Sequence, residues 1–494
     1  MDGKSECLAL IAMAKNCVNS APQFKNHLNN WFNDANKLLR SSRLESFHGE
    51  KKLDDLALSL RYLWLQFARS HTDPIFKSPS KTDKFRMPFG YKYKYAYDRW
   101  ARSEHLEERC RTYRPPVAGW NNDHVMFASG MAGINGVVNF IKGRISRRSS
   151  SQIRMYEFGG YFEFTHLFRA LNDSSFKGSI CKTHESFIKK VASGRGHILM
   201  FEPVSCNWGQ EVIDLDAFFT AWKSPKTRKT SAIIIDTTVT GARFPMDLFL
   251  EGLSTDAPDY VVQVSSGLKL DQEGLEFAGA GIVSVYTPPG VPRKKLEDYT
   301  KRLRKLRRTL AIGLPVNELA ALEFPEFLDL KSHQRHIDAV FENNAAFARS
   351  ITVADGVLES ISHPATRQDA RPWAVSPFVL VRIRGGREED KDFVKIVLRQ
   401  EIKKRKLRID NGTSFGFRSH RFAMGIVDKP GKATFRIALG SRRGPSFFGL
   451  IDLINEISAY PDFAAMKAAY PKALDKLRAR HKEKPPAQVK RKGP

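Results

Sequence analysis

The sequence predicts an α/β protein, with a mostly parallel central sheet in a large domain and a smaller C-terminal α+β domain. Two patterns carry that prediction. Between about residues 120 and 286, short apolar runs alternate with helical stretches: "HVMFASG", "RMYEF", "HILMFEP", "SAIIIDTT", "YVVQVSS" and "GAGIVSVY". Strands covered on both faces read as unbroken apolar runs, and intervening helices supply the crossovers that parallel neighbours need. Later, the strands "PFVLVRIRG" and "TFRIALG" are followed by helices around "FFGLIDLINEISAY", an α+β order.

Taken along the chain, residues 1–85 form a helical N-terminal extension. Apolar residues in "LDDLALSLRYLWLQFA" recur at spacings of three and four, and "SHTDPIFKSPSKTDKFRMPFG" is rich in helix breakers. Residues 86–315 are the large domain with an N-terminal arm. A long basic helical region covers about 291–351, and residues 316–480 hold the connecting helix and the small domain. Residues 481–494 read as a basic disordered tail because of their Pro and Lys content. No internal repeat is found.

The 494 residues suffice for two or three domains. No apolar run approaches the roughly 18 residues that span a bilayer, and the N-terminus lacks a basic start and a small-residue cleavage site. The chain therefore reads as cytoplasmic, with no membrane partner. Five scattered cysteines without a CxxC indicate neither a disulfide framework nor a zinc site, so no metal is expected. The net charge of +27 raises nucleic-acid binding. Much of the excess, however, sits in "RKKLEDYTKRLRKLRR", which reads as a solvated helix, and in the tail. Neither zinc-finger spacing nor an RNA-binding aromatic motif is present. Nucleic acid is not the expected partner, and a basic surface serving an anionic substrate fits better.

Three signals then fall in order. "VMFASGMAGINGVVNF" runs from a strand through Ser-Gly into a helix start, where free backbone N–H groups can hold a phosphate. Asp236 ends the strand "SAIIID", where α/β sheets place ligands. Lys269 follows the strand "YVVQVSS". A phosphate cradle, an acid and a lysine are what pyridoxal 5'-phosphate requires: the lysine forms the imine, and the acid keeps the pyridine nitrogen protonated.

At these residues the chain resembles fold-type I pyridoxal-phosphate enzymes, specifically the Cys/Met-metabolism family of cystathionine γ-synthases and lyases. The resemblance runs from about residue 91 to residue 460. It implies that Tyr97 and Arg99 of "YAYDRW" reach the cofactor phosphate of a neighbouring subunit. The protein is accordingly expected to be a homodimer or homotetramer with shared active sites. By the same resemblance, Gly130 and Met131 of "SGMAG" hold phosphate through backbone N–H groups. Tyr161, with Phe162 as rival, stacks on the ring and joins Lys269 as a catalytic residue. Asn207 of "FEPVSCNWG" meets the ring hydroxyl, with Ser205 competing. Asp236, Thr237 and Thr238 match the family's D-N-T segment, and Ser266 and Lys269 match S-x-x-K. Ser414 and Arg436 are implied to hold the substrate carboxylate, for which a guanidinium fork is suited.

The chain also departs from the family. Leu268 stands where the family commonly has threonine, the spacing of "EPVSCNW" is shifted, and "LDQEGLEFAG" replaces the usual residues after the lysine. The first 85 residues and the tail have no counterpart. A changed substrate pocket around retained cofactor machinery follows.

The implied reaction is β- or γ-elimination or γ-replacement on an amino acid with an activated side chain, in specialised metabolism. An O-activated homoserine or a sulfonium such as S-adenosylmethionine would pass through a vinylglycine-type intermediate, with a bulky anionic acceptor. An aminotransferase on the same fold is the alternative, and a non-catalytic nucleic-acid-binding regulator is a more remote one.

Overall fold

The computed structural model describes residues 1–73, 85–93, 101–146, 151–253, 256–368, 370–385, 387–429 and 432–483. Residues 484–494, most of the predicted tail, lie outside them.

Three helices open the chain: α1 (Gly3–Ser20), α2 (Lys25–Leu39) and α3 (Phe47–Ser70). Asp2 and Ser46 cap α1 and α3 by accepting the N–H of Ser5 and Gly49, which satisfies donors that a helix start leaves free. Their apolar stripes bury Leu10, Leu28, Leu60, Trp64 and Phe67 in one cluster with Leu275, Phe277, Leu319 and Phe324. The extension is thus packed against the segment that follows Lys269.

A short hairpin, β1 (Phe85–Arg86) with β2 (Lys92–Tyr93), and helix α4 (Glu104–Tyr113) lead into the main sheet. Its strands are β3 (Asn121–Phe127), β4 (Ile153–Phe158), β5 (Phe176–Cys181), β6 (Ile198–Phe201), β7 (Ala232–Asp236), β8 (Tyr260–Ser266) and β9 (Gly281–Thr287). The spatial order is β3-β9-β8-β7-β6-β4-β5. Neighbours from β8 to β5 run parallel, and β9 alone is antiparallel to both of its neighbours. Helices α5 (Gly130–Ile145), α6 (Glu163–Leu171), α7 (His184–Ala192), α8 (Leu215–Lys223) and α9 (Met246–Gly252) make the crossovers, and α10 (Arg293–Thr309) follows β9. Along β8, Val262 and Val264 join the core under α5 and α10, whereas Val261 joins the core on the opposite face.

The α/β fold with a largely parallel sheet is therefore as expected. Strand β5 was not anticipated, because "FKGSIC" is an edge strand with exposed polar positions and no apolar run. The basic helical region after β9 comprises three helices, α10, α11 (Val316–Ala321) and α12 (Leu330–Ser350). Pro315 and Pro325 fall at the breaks.

A five-stranded sheet follows, made of β10 (Leu358–Ser362), β11 (Val379–Ile383), β12 (Ile409–Asn411), β13 (His420–Lys429) and β14 (Lys432–Ala438), in the order β10-β11-β14-β13-β12. Helix α13 (Glu388–Lys404) lies between β11 and β12, and α14 (Pro445–Ser458), α15 (Phe463–Ala469) and α16 (Pro471–Glu483) close the chain. Side chains alternate across this sheet. Val379, Val381, Phe435 and Ile437 face a core shared with Phe393 and Leu453. Leu380 and Ala438 face the other way, toward Val204 and Val239 in loops at the ends of β6 and β7. That second face carries Arg436 against the rim of the main sheet. Among the described residues, no helix is long and apolar enough to cross a membrane.

Candidate active site

The site lies at the carboxyl ends of β4, β6, β7 and β8, where residues leaving adjacent parallel strands converge. Lys269 sits in a turn after β8 in which its N–H donates to the Ser266 carbonyl (3.1 Å). The loop beyond is pinned by the Gln272 side chain. Its Nε2 donates to the carbonyls of Gly267 (3.0 Å) and Ala278 (2.6 Å), and its Oε1 accepts from the N–H of Phe277 (2.7 Å). Lys269 Nζ donates to Ser414 Oγ and lies 5.6 Å from the centre of the Phe415 ring. Burial, followed by the nearby Arg436 charge, lowers the Lys269 pKa, favouring the neutral amine a nucleophile needs. Gly416, at φ +82°, allows this approach, because a Cβ there would collide with the Lys269 carbonyl.

Asp236 is buried at the end of β7 and accepts the Thr238 N–H (2.9 Å) at Oδ1. Thr238 Oγ1 accepts the Ser266 N–H (2.9 Å), tying the ends of β7 and β8 together. Thr237 is fully buried and engaged within the sheet by Val264 and Gln263, so its side chain belongs to the core. Burial raises the Asp236 pKa, a tendency its hydrogen bonds with Thr238 oppose.

Two further acids, Glu157 at the end of β4 and Glu202 just after β6, were not singled out in the sequence. Glu202 accepts the N–H of Tyr161 (3.2 Å) and of Cys206 (2.8 Å), clamping two loops together. Glu157 accepts the Gly160 N–H at 3.3 Å, and its Oε2 is buried with no partner among the described residues. Burial lifts Glu157 to about 8, and burial plus the neighbouring Asp236 and Glu157 lifts Glu202 well above the usual carboxylate range. The available signal was an acid inside or ending an apolar run, in "RMYEF" and "HILMFEP".

Ser129 caps α5 by accepting the Ala132 N–H (3.1 Å). The amides of Gly130 and Met131, at the start of α5, have no intrahelical acceptor. They approach the end of β8: a Cβ on Gly130 would lie 3.3 Å from the Ser266 nitrogen. Tyr161 is half-buried, and its rival Phe162, 65% exposed, has its ring centre 5.1 Å from that of Tyr161. Burial, then Glu163, Cys206 and Asp236, raises the Tyr161 pKa. Asn207 Oδ1 accepts from Ser205 Oγ (2.8 Å) and from the Gly209 N–H (3.0 Å). Ser205 is fully buried, and its hydroxyl also accepts the Glu211 N–H (2.8 Å), so it serves the turn.

Arg436 stands on β14 opposite Leu380 and Ala423. Its Nη1 donates to the Thr413 carbonyl (3.0 Å), and its guanidinium lies 4.2 Å from the centre of the Phe378 ring. Its Nε is buried without an acceptor among the described residues. Burial lowers its pKa, and Cys206, Tyr161 and Glu202 oppose that shift. One rim therefore brings together Lys269, Ser414, Arg436, Tyr161, Asp236 and Cys206, while Gly130, Ser266 and Thr238 meet beside it. Tyr97 and Arg99 lie outside the described residues.

No protein-family model matches the sequence, and no curated protein matches it. Solved structures do share its fold. A methionine gamma lyase from Micromonospora echinospora is 13% identical, with a TM-score of 0.54, over 79% of this chain and 92% of that one. Cystathionine gamma-lyase from yeast is 14% identical with a TM-score of 0.52, over 78% of this chain and 91% of that one. A putative O-acetylhomoserine (thiol)-lyase from Campylobacter jejuni is 15% identical with a TM-score of 0.51, over 74% of this chain and 88% of its own length. That structure contains N'-pyridoxyl-lysine-5'-monophosphate. The chain thus has the fold-type I architecture that the sequence resemblance implies, in a strongly diverged form.

Proposed function

We propose that the chain is a pyridoxal-phosphate-dependent enzyme that eliminates or replaces the β- or γ-substituent of an amino acid. The observation that carries this reading is the pairing of Lys269 with Ser414 on the same rim as Asp236 and the start of α5. The residues fit the cofactor. Asp236 is a buried acid suited to a ring-nitrogen proton, the free amides of Gly130 and Met131 suit a phosphate, and Ser266 and Thr238 add hydroxyls. Tyr161 would stack on the ring, and Asn207 has an amide nitrogen to offer its hydroxyl. Tyr97 and Arg99 would come from a neighbouring subunit, making the protein a homodimer or homotetramer.

Bound there, pyridoxal phosphate would supply a sink for the electron pair left at the substrate Cα. Arg436 and Ser414 hold the substrate α-carboxylate and fix which Cα bond stands toward Lys269. The Lys269 amine, whose pKa burial lowers, takes the Cα proton and, for γ chemistry, carries protons at Cβ. Gln272 keeps the lysine loop in place, and the aromatic wall of Phe378 and Phe415 limits water at the amine.

Donors of the expected chemistry are O-activated homoserines and sulfonium amino acids, in specialised metabolism, with an anionic acceptor. Incubation of the cofactor-loaded protein with each donor class, read by mass spectrometry, should reveal a released keto acid or a replacement product. Amino-group transfer to a keto acid without loss of the side-chain substituent would point to an aminotransferase instead.

A further inference from the structure

The second face of the five-stranded sheet holds another arginine whose position has a use. Strands β11 and β14 pair with Leu380 opposite Arg436 and Arg382 opposite Thr434. Arg382 and Arg436 therefore share a face as diagonal neighbours on adjacent strands, about 7–8 Å apart at the backbone. The Arg382 guanidinium stacks 4.0 Å from the centre of the Trp208 ring. Trp208 belongs to the turn that holds Cys206 within reach of the Arg436 charge. Both arginines thus face the loop that carries Cys206 and Trp208.

Their surroundings differ from those of other arginines in this part of the chain. Arg384 pairs with Asp355, Arg405 with Glu456, and Arg421, on the same face, with Glu276. Among the described residues, Arg382 and Arg436 meet no carboxylate, and each buries an Nε without an acceptor. Guanidiniums that form no ion pair attract anions to the face they share. The Trp208 face also fixes the plane of the Arg382 fork, which suits bidentate binding of a carboxylate or phosphate.

We propose that Arg382 binds a second anionic group, carried on the side chain of the amino acid whose α-carboxylate Arg436 holds. This rests on the reading of the site as an amino-acid-binding one. It selects among the donor classes above: an acidic side chain satisfies both arginines, whereas a sulfonium would add a third positive charge to that face.

The test uses the cofactor-loaded protein and follows binding through the cofactor's visible spectrum, not through turnover. Two matched pairs of amino acids serve as probes, L-2-aminoadipate with L-norleucine and L-glutamate with L-norvaline. In the native protein the acidic member of at least one pair should bind ten-fold or more tightly than its neutral match. Arg382→Ala should abolish that preference while leaving the neutral member's affinity within about two-fold, and Arg382→Lys should keep part of it. Equal affinities within both pairs, or a preference that survives in Arg382→Ala, would overturn the inference alone. A spectrum that responds to none of the four would remove the amino-acid-binding reading and the inference with it. Should Arg382→Ala fail to fold, Arg382→Lys carries the comparison, with an unchanged preference counting against the proposal.

Discussion

Glu6 and Arg442 form a buried ion pair that ties the first helix of the chain to the loop after β14. Glu6 is fully buried, and Arg442 also donates to Asp54 Oδ1 (2.7 Å) and the Glu50 carbonyl (3.0 Å). Arg418 lies 3.7 Å from the same Glu6 carboxylate and 3.4 Å from Glu273, in the loop after Lys269. Burial alone would raise the Glu6 pKa, but Arg442 and Arg418 hold it below the ordinary value. The N-terminal extension is therefore wired into both segments that carry the Lys269–Ser414 pair.

Glu6→Ala strands buried guanidinium charge, a change that costs about 3 kcal/mol or more. Chemical denaturation should register that loss, reduced to the extent that Asp54 still serves Arg442. A loss below about 1 kcal/mol would mean that the pair contributes no more than a surface bridge.

The acid cluster predicts a pH effect in the cofactor-free protein. Burial lifts the Glu157 carboxyl from its ordinary 4.5 to about 8 in the folded chain. Between those values the folded chain keeps a proton that the unfolded chain has lost, so this group's contribution falls as pH rises from 4.5 to 8. Glu157→Gln keeps the shape and can still accept the Gly160 N–H. It should match the native protein near pH 5 and exceed its stability near pH 9 by at least about 1.4 kcal/mol, the worth of one pKa unit. Glu202 and Asp236 remain in the variant, so some pH dependence persists. Identical melting differences at both pH values would contradict a proton held on Glu157.

Arg436→Ala separates substrate from cofactor. The contacts of its guanidinium are the Thr413 carbonyl and the Phe378 ring, not the phosphate-site residues Gly130 and Ser266, so cofactor uptake should be unchanged. Loss of a charge-assisted fork on a desolvated carboxylate costs about 2–5 kcal/mol. Amino-acid affinity, read by spectral titration, should therefore fall at least roughly ten-fold. Near-native affinity would return Arg436 to a packing role against Phe378.

If Tyr97 and Arg99 serve a neighbouring subunit, inactive Arg99→Ala and inactive Lys269→Ala chains should complement each other after subunit exchange. One interface site in each mixed pair would then be wild type. Activity that stays at the level of the separate variants in a mixture shown to have exchanged would rule out a shared site.

The parts of this arrangement that are local in the sequence were legible there. Asp236 and Lys269 are charged residues at the ends of apolar runs, and Ser129–Gly130 opens a helix after a strand, so each declares itself within a few residues. Contacts between distant residues were not. Glu6 looks like an ordinary polar position in an amphipathic helix until Arg442, at the other end of the chain, is brought to it. Arg382 reads as the polar half of an alternating strand, and only the register with Arg436 puts the two on one face. Glu157 sits in a run that the apolar pattern assigns to the core, where the acid was passed over. Strand β5 escaped because an edge strand lacks the burial that makes a run apolar.

The most direct test of the account is borohydride reduction of the cofactor-loaded protein, followed by digestion and peptide mapping. The account predicts visible absorbance from bound pyridoxal phosphate and a single pyridoxyl-modified peptide, the one containing Lys269, with Lys269→Ala folded, unmodified and without turnover. A modified peptide centred on another lysine, or a purified protein that takes up no cofactor when supplied with it, would contradict the account.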